Sequence, residues 1–224
     1  LQVPGSYQGW NPGDNTTVLA SVNSDEKYEG YLYFADANTK FKFLKGQAWG
    51  DPDWGGADGI LVPGGSDIAA ADAGYYKINV DLTALTYSFV KTDWGLIGSA
   101  TAGGWDSDQN MTYDPATGNW TIVADLTAGA VKFRANDGWD LNYGDTGVDG
   151  ILEAGGTDIT ISEAGTYNIT LKLGAPDYTY SIVRSSYDHR AMFWSNGQSL
   201  EIDDIAQFTQ GYAITKYKNV TSTG

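Results

Sequence analysis

The chain of 224 residues carries 13 Lys+Arg against 28 Asp+Glu. The resulting net charge of −15 opposes binding to phosphate backbones, anionic membranes or strongly acidic polysaccharides. With no cysteine and the single histidine His189, disulfides and thiolate metal sites are excluded, and a histidine metal centre or catalytic triad is implausible.

No apolar run approaches the roughly 20 residues of a membrane helix, so direct membrane insertion is not expected. The chain begins at Leu1 with no leader, which reads as a fragment or a mature form. Its length suits two domains of about 90 to 100 residues.

In chain order, residues 1–5 read as a short strand and residues 6–14 as a loop presenting Trp10, punctuated by Gly, Pro and Asn. Residues 28–34 and 40–44 alternate as half-buried antiparallel strands do. The Gly-rich run 49–59 is too irregular for a strand. Residues 75–82 alternate strictly, 86–90 close the unit, and 93–96 form the junction.

A second round follows: a strand at 96–100, a loop with Gly103-Gly104-Trp105-Asp106, and strands near 111–113, 120–126 and 131–135. The Trp139 loop, then 165–173 and 178–183, complete it. Short strands, Gly-rich turns and no helical period before residue 185 predict an all-β chain of two tandem small β-sandwich domains. Their bounds are 1–93 and 94–184. Residues 185–224 form a short mixed C-terminal segment, with helical turns at 202–208 and a strand at 212–219, too small to bury a core alone.

The two rounds are a repeat. Phe41-Lys42-Phe43-Leu44 answers Val131-Lys132-Phe133-Arg134, Trp49 answers Trp139, and Trp54-Gly55 answers Tyr143-Gly144. Gly56-Ala57-Asp58-Gly59-Ile60-Leu61 likewise answers Gly147-Val148-Asp149-Gly150-Ile151-Leu152. A repeat of this size is a whole domain rather than a solenoid unit.

With period two, Val131 and Phe133 share one strand face while Lys132 and Arg134 share the other, and a turn brings Trp139 nearby. A flat indole beside forked donors suits a sugar ring, whose C–H groups stack while its hydroxyls accept hydrogen bonds. The second candidate site is therefore Trp105, Lys132, Arg134, Trp139 and Asn142, with Asn136, Asp140 and Tyr143 as lesser members. The first is Trp10, Lys42, Trp49 and Trp54. There Leu44 replaces the guanidinium fork, so the first site is expected to be weaker or altered.

Each of these residues has an ordinary reading as core, rim or solvated side chain; their grouping in a cation-poor chain favours a site. Trp120 and Tyr28, at matching strand starts, are expected in the core. The acidic loops Asp51, Asp53, Asp58 and Asp137, Asp140, Asp145, Asp149 do not match a calcium loop, so neither metal nor cofactor is expected. No spacing selects a carboxylate pair, so no catalytic residue is expected.

Both copies resemble carbohydrate-binding domains of the SusE/SusF group, surface starch-binding lipoproteins of Bacteroidetes. The resemblance is carried by Val3-Pro4-Gly5-Ser6-Tyr7-Gln8-Gly9-Trp10 with Tyr28-Glu29-Gly30-Tyr31 and Phe41-Lys42-Phe43, and by Gly103-Gly104-Trp105-Asp106 with 132–144. It implies immunoglobulin-like sandwiches that bind glucan with two aromatics flanked by cations and an amide. Trp105 and Trp139 would be the pair, Lys132 and Arg134 the donors. Trp10, Lys42 and Trp49 would be their counterparts, with Trp54 a substitute platform.

The stretch from Asp188-His189-Arg190-Ala191-Met192-Phe193-Trp194 to 212–219 resembles an interior part of SusD-type glycan-binding proteins, implying sandwiches inserted in or fused to such a protein. The implied function is non-catalytic capture of a neutral polysaccharide, foremost starch or another α-glucan, at the cell surface. The anchor would be a lipid or parent protein outside this chain. The implied partners are a SusC-like transporter and other surface glycan-binding proteins, with no nucleic acid. A β-1,3-glucan such as laminarin or another neutral glycan, a structural spacer or docking module, and an accessory module of a glycoside hydrolase are the alternatives; the SusD-like segment argues against the last.

Overall fold

The computed structural model describes residues 1–185 and, as backbone alone, 191–195 and 198–202. Twenty strands form it, with one 3-10 turn at Ser6–Gln8. The first copy holds β1 (Lys27–Phe34), β2 (Thr39–Phe41), β3 (Phe43–Leu44), β4 (Asp53–Ala57), β5 (Ile60–Pro63), β6 (Ile68–Ala70), β7 (Gly74–Asp81) and β8 (Thr86–Lys91). The second holds β9 (Trp94–Ile97), β10 (Gln109–Asn110), β11 (Thr112–Asp114), β12 (Asn119–Leu126), β13 (Gly129–Ala135), β14 (Asn142–Gly144), β15 (Glu153–Ala154), β16 (Ile159–Ile161), β17 (Gly165–Lys172) and β18 (Thr179–Arg184). A hairpin of β19 (Ala191–Ser195) and β20 (Gln198–Ile202) follows. The described chain is thus all-β; of the expected helical turns at 202–208, Ile202 instead ends β20, and the remainder and the strand at 212–219 lie outside the described residues.

Each copy stacks two antiparallel layers. In the second, β11-β12-β17-β18 faces β10-β9-β13-β14-β15, with β16 on β13. In the first, β1-β7-β8 continues into β5-β4-β3 through the single pairing of Ile60 with Thr86, while β2 pairs β6. The same junction recurs in the second copy as a bridge between Ile151 and Thr179. The first core is built on Phe34, Phe41, Phe43, Ile68 and Ile78, the second on Trp94, Leu96, Phe133, Ile169 and Leu171. Trp120 is in the second core and Tyr28 packs against the first.

A close backbone approach marks the repeat as three-dimensional. A Cβ on Gly55 would overlap the carbonyl oxygen of Ser66, and one on Gly144 would overlap that of Thr157. Glycine is needed at both places because the backbone of the loop before β6, or before β16, occupies the side-chain position.

The strand expectations need four corrections. Residues 1–5 make isolated bridges at Gln2 and Gly5 rather than a strand. The 40–44 run is broken at Lys42, whose N–H donates to Pro4 O, leaving β2 and β3 to pair with different partners. The Gly-rich run 49–59 contains β4, because Gly55 and Gly56 permit close neighbours instead of ending the strand. The junction is confined to Thr92 and Asp93, since Trp94 already opens β9.

The fifth departure matters more. The outer faces of β1 and β7 are not wholly solvated: Tyr31 and Tyr75 belong to the second copy's core cluster. Tyr31 stacks on Tyr75 at 5.4 Å and meets Tyr178 edge-on at 5.3 Å. Its hydroxyl lies 3.0 Å from that of Tyr143, which also accepts from Lys77 Nζ at 3.2 Å. Tyr75 packs on Tyr113 and Trp120, and Tyr33 on Tyr113. At Tyr31 and Tyr75 the outer face of β1 and β7 is therefore buried in the second core, while Lys27 at the far end of β1 stays exposed.

Candidate functional site

In the second copy, the turn after β9 presents Trp105, anchored by Gly98 N–H donating to Gly104 O at 3.0 Å. The turn after β13 presents Trp139, whose carbonyl accepts from Asn142 Nδ2 at 2.8 Å. The two indoles meet with centroids 6.0 Å apart and planes inclined at 41°. Both rings stay open, at 37 % and 46 % exposure. A pair of exposed, angled indoles is a shallow curved platform for apolar ring faces.

Beneath it, Arg134 is buried rather than solvated. Its guanidinium carbon lies 5.3 Å from the Trp139 ring centroid, and its Nε donates to Asp108 Oδ2 at 2.7 Å. The expectation of a freely exposed Arg134 is corrected: the indole above and the carboxylate beside it remove the side chain from bulk water. Lys132 shares that strand face by alternation, is half-buried, and has no ion-pair partner among the described residues. The Asp137 carboxyl is held above the usual carboxylate range by its hydrogen bond to Asp108 and their repulsion, with Arg134 pulling the other way.

The lesser members separate. Tyr143 is fully buried in the core, Asp140 is exposed, and Asn136 serves the junction. Asn136 Nδ2 donates to Lys91 O and its Oδ1 accepts from Asp93 N–H, fastening the Trp139 turn to the link between copies.

The first copy repeats the platform with different supports. Trp10 and Trp49 have centroids 6.3 Å apart and planes inclined at 48°, and Trp49 Nε1 donates to Trp10 O at 3.1 Å. Leu44, fully buried, stands at the Arg134 position. Gln2 bridges to Leu44 as Gly95 pairs with Arg134, and Gln2 Nε2 donates to Asn15, which also accepts from Gln47. Lys42 is ion-paired to Asp53, the counterpart of Asn142 by register. Lys45 is held by Glu26 at 2.7 Å.

Trp54 is a second correction. It pairs in register with Phe43 and packs against the first core, where its counterpart Tyr143 packs in the second, so it is not a platform ring. Asp108, Gln2, Asn15 and Gln47 were not anticipated; their only signal is tertiary, since Asp108 lies 26 residues from the arginine it meets. The surface concavities lined by Tyr28, Asn79 and Tyr87, and by Gly56, Asp67 and Phe89, include none of the four platform tryptophans. An angled aromatic pair encloses little volume.

Among the described residues, no three His, Asp or Glu side chains converge as metal ligands would. No helix of the described residues is long and apolar enough to cross a membrane.

No family model and no curated protein matches the chain. Among solved structures it is similar to SusF from Bacteroides thetaiotaomicron, at 23 % identity and a TM-score of 0.47. That likeness covers 80 % of this chain and 46 % of the SusF chain, so this chain spans less than half the length of that structure.

Proposed function

We propose that the chain is a non-catalytic glycan-binding protein whose two copies, residues 1–93 and 94–184, each hold a neutral polysaccharide, with an α-glucan as the preferred ligand. The carrying observation is that both copies present a tryptophan pair at about the same separation and inclination, 6.3 Å and 48° against 6.0 Å and 41°, with Trp10 half-buried and the other three rings exposed. A coiling α-1,4 chain turns successive rings, as the angled pair does, whereas a flat ribbon-like chain matches coplanar rings.

Stacking at about 1 kcal/mol per ring, with a few hydrogen bonds, gives micromolar to millimolar affinity per site. The second site is the stronger. Its Lys132 keeps its charge for sugar hydroxyls, and the Arg134 fork lies against the platform, whereas Asp53 neutralises Lys42 and Leu44 donates nothing. Two sites on one chain gain avidity on a long polymer.

The cellular role that goes with this is glycan capture at a bacterial surface, beside a SusC-like transporter and other glycan-binding proteins. The anchor would be supplied by a lipid or parent protein.

Isothermal titration calorimetry with maltoheptaose and with laminarin oligosaccharides, on the parent chain, Trp139→Ala and Trp49→Ala, tests this. Maltoheptaose binding that Trp139→Ala largely removes is the expected result. A laminarin response alone moves the substrate to β-1,3-glucan, and silence toward both sugars from a folded parent chain leaves a spacer or docking module.

A further inference from the structure

The second platform rests on a polar relay that has no counterpart in the first. Asp108 and Arg134 are joined at 2.7 Å with side chains only 4 % and 6 % exposed, and the guanidinium lies against Trp139. The carboxylate has room because residue 95 is glycine: a Cβ there would lie 2.6 Å from Asp108 Cγ. Gly95 is paired with Arg134 across β9 and β13, so space and charge come from adjacent positions.

This relay is not what folds the domain. Buried ion pairs are often no more stabilising than hydrophobic residues of similar volume. The first copy builds the same layers with Leu44 and Gln2 at the equivalent places. What distinguishes the second copy is that a charged, hydrogen-bonded plane backs the indole, and one of the five guanidinium donors is fixed by Asp108.

We propose that Asp108 is a positioning residue of the second glycan site, holding Arg134 against the Trp139 ring and so setting the inclination of the aromatic platform. This rests on the glycan-binding reading above. A carboxylate is the suitable partner because the arginine is removed from water and must be both paired and oriented, and a charge-assisted Nε–H bond does both.

The test is a double-mutant cycle in the Trp49→Ala background, which leaves only the second site. Maltoheptaose affinity is measured for that parent, Asp108→Asn, Arg134→Leu and the pair together, with the circular-dichroism exciton couplet of the indole pair as a ligand-free readout. Asp108→Asn weakens binding on the order of tenfold, about 1.4 kcal/mol, and shrinks the couplet. On top of Arg134→Leu, the residue natural to the first copy, it changes neither.

An unchanged affinity and couplet in Asp108→Asn, or an equal loss with and without Arg134, overturns the proposal. If Asp108→Asn does not fold, Gly95→Ala displaces the carboxylate without removing its charge and gives the same readouts. A parent that ignores maltoheptaose defeats the glycan reading at this site, while the couplet still decides whether Asp108 positions the ring.

Discussion

Tyr31 ties the two copies into one unfolding unit, and its replacement measures that tie. It belongs to β1 of the first copy, yet it is 6 % exposed and lies among Tyr75, Trp94, Tyr143 and Tyr178 of the shared cluster. Tyr31→Phe keeps the ring and removes only the hydroxyl bond, whose partner on Tyr143 retains Lys77 as a donor; the loss is about 1 kcal/mol. Tyr31→Ala leaves a cavity between the copies and costs about 3 to 5 kcal/mol. At roughly 2 to 4 °C per kcal/mol for a chain of this size, Tm falls by about 6 to 20 °C. Scanning calorimetry should show one transition in the parent and two separating transitions in Tyr31→Ala, with Tyr31→Phe close to the parent. Two well-resolved transitions in the parent, or an unshifted Tm in Tyr31→Ala, would refute the shared core.

Asp53→Asn installs the second copy's neutral amide beside Lys42 and releases its charge; in a Trp139→Ala background, first-site affinity for maltoheptaose should rise by up to about fivefold, the worth of a partly exposed pair. A tighter site fails to appear if Lys42 does not face the glycan. Gly144→Ala forces a Cβ onto Thr157 O and should destabilise the chain by about 1 to 3 kcal/mol, seen as a lower denaturant midpoint. An unchanged midpoint would contradict the close approach.

The Asp145 carboxyl is pushed up by burial but pulled further down by N–H groups of Gly150 and Asp149 and the hydroxyl of Tyr180, so it ends below the usual range. A lowered folded-state value means this stabilisation is whole above an unfolded carboxylate's pKa of about 4 and fades as pH falls through the folded value. The stability gap between the parent and Asp145→Asn should therefore narrow below about pH 4, and a constant gap would count against it. On the alkaline side, Tyr180 and Tyr113 are pushed up to about 12, chiefly by burial. Their neutral state stabilises the fold up to the unfolded phenol value of 10.0, and that contribution is lost as pH rises toward 12, when phenolate absorbance should appear together with unfolding.

The side-chain alternation of 28–34, 75–82 and 120–126 was enough to read these segments as strands, because which residues share a strand face is a local property of the extended backbone. The internal repeat likewise aligned Trp49 with Trp139, and Gly55 with Gly144, before any contact was known. The platform tryptophans were legible because each sits on a turn marked by Gly, Asn or Asp, which sends an indole outward at a predictable place.

What faces a strand is another matter. Tyr31 and Tyr75 have the pattern of an outer face, and only the docking of a second sandwich made that face a core. Arg134 has the pattern of a solvated cation, and only Asp108, 26 residues away in a different strand's approach, buried it. Trp54, a substitute for Trp49 in one Gly-rich run, is removed from the platform only by pairing with Phe43, which turns it inward.

By itself, then, the amino-acid order determined the strand class, the duplication and the aromatic character of the four tryptophan-bearing turns, all of which follow from backbone geometry within a few residues. The tertiary structure alone decided the inclination of each indole pair, the neutralisation of Lys42 and the packing of Tyr31 and Tyr75 into the second copy's core. Those depend on which distant group arrives at a given face, and long-range pairing leaves no periodic trace in the chain.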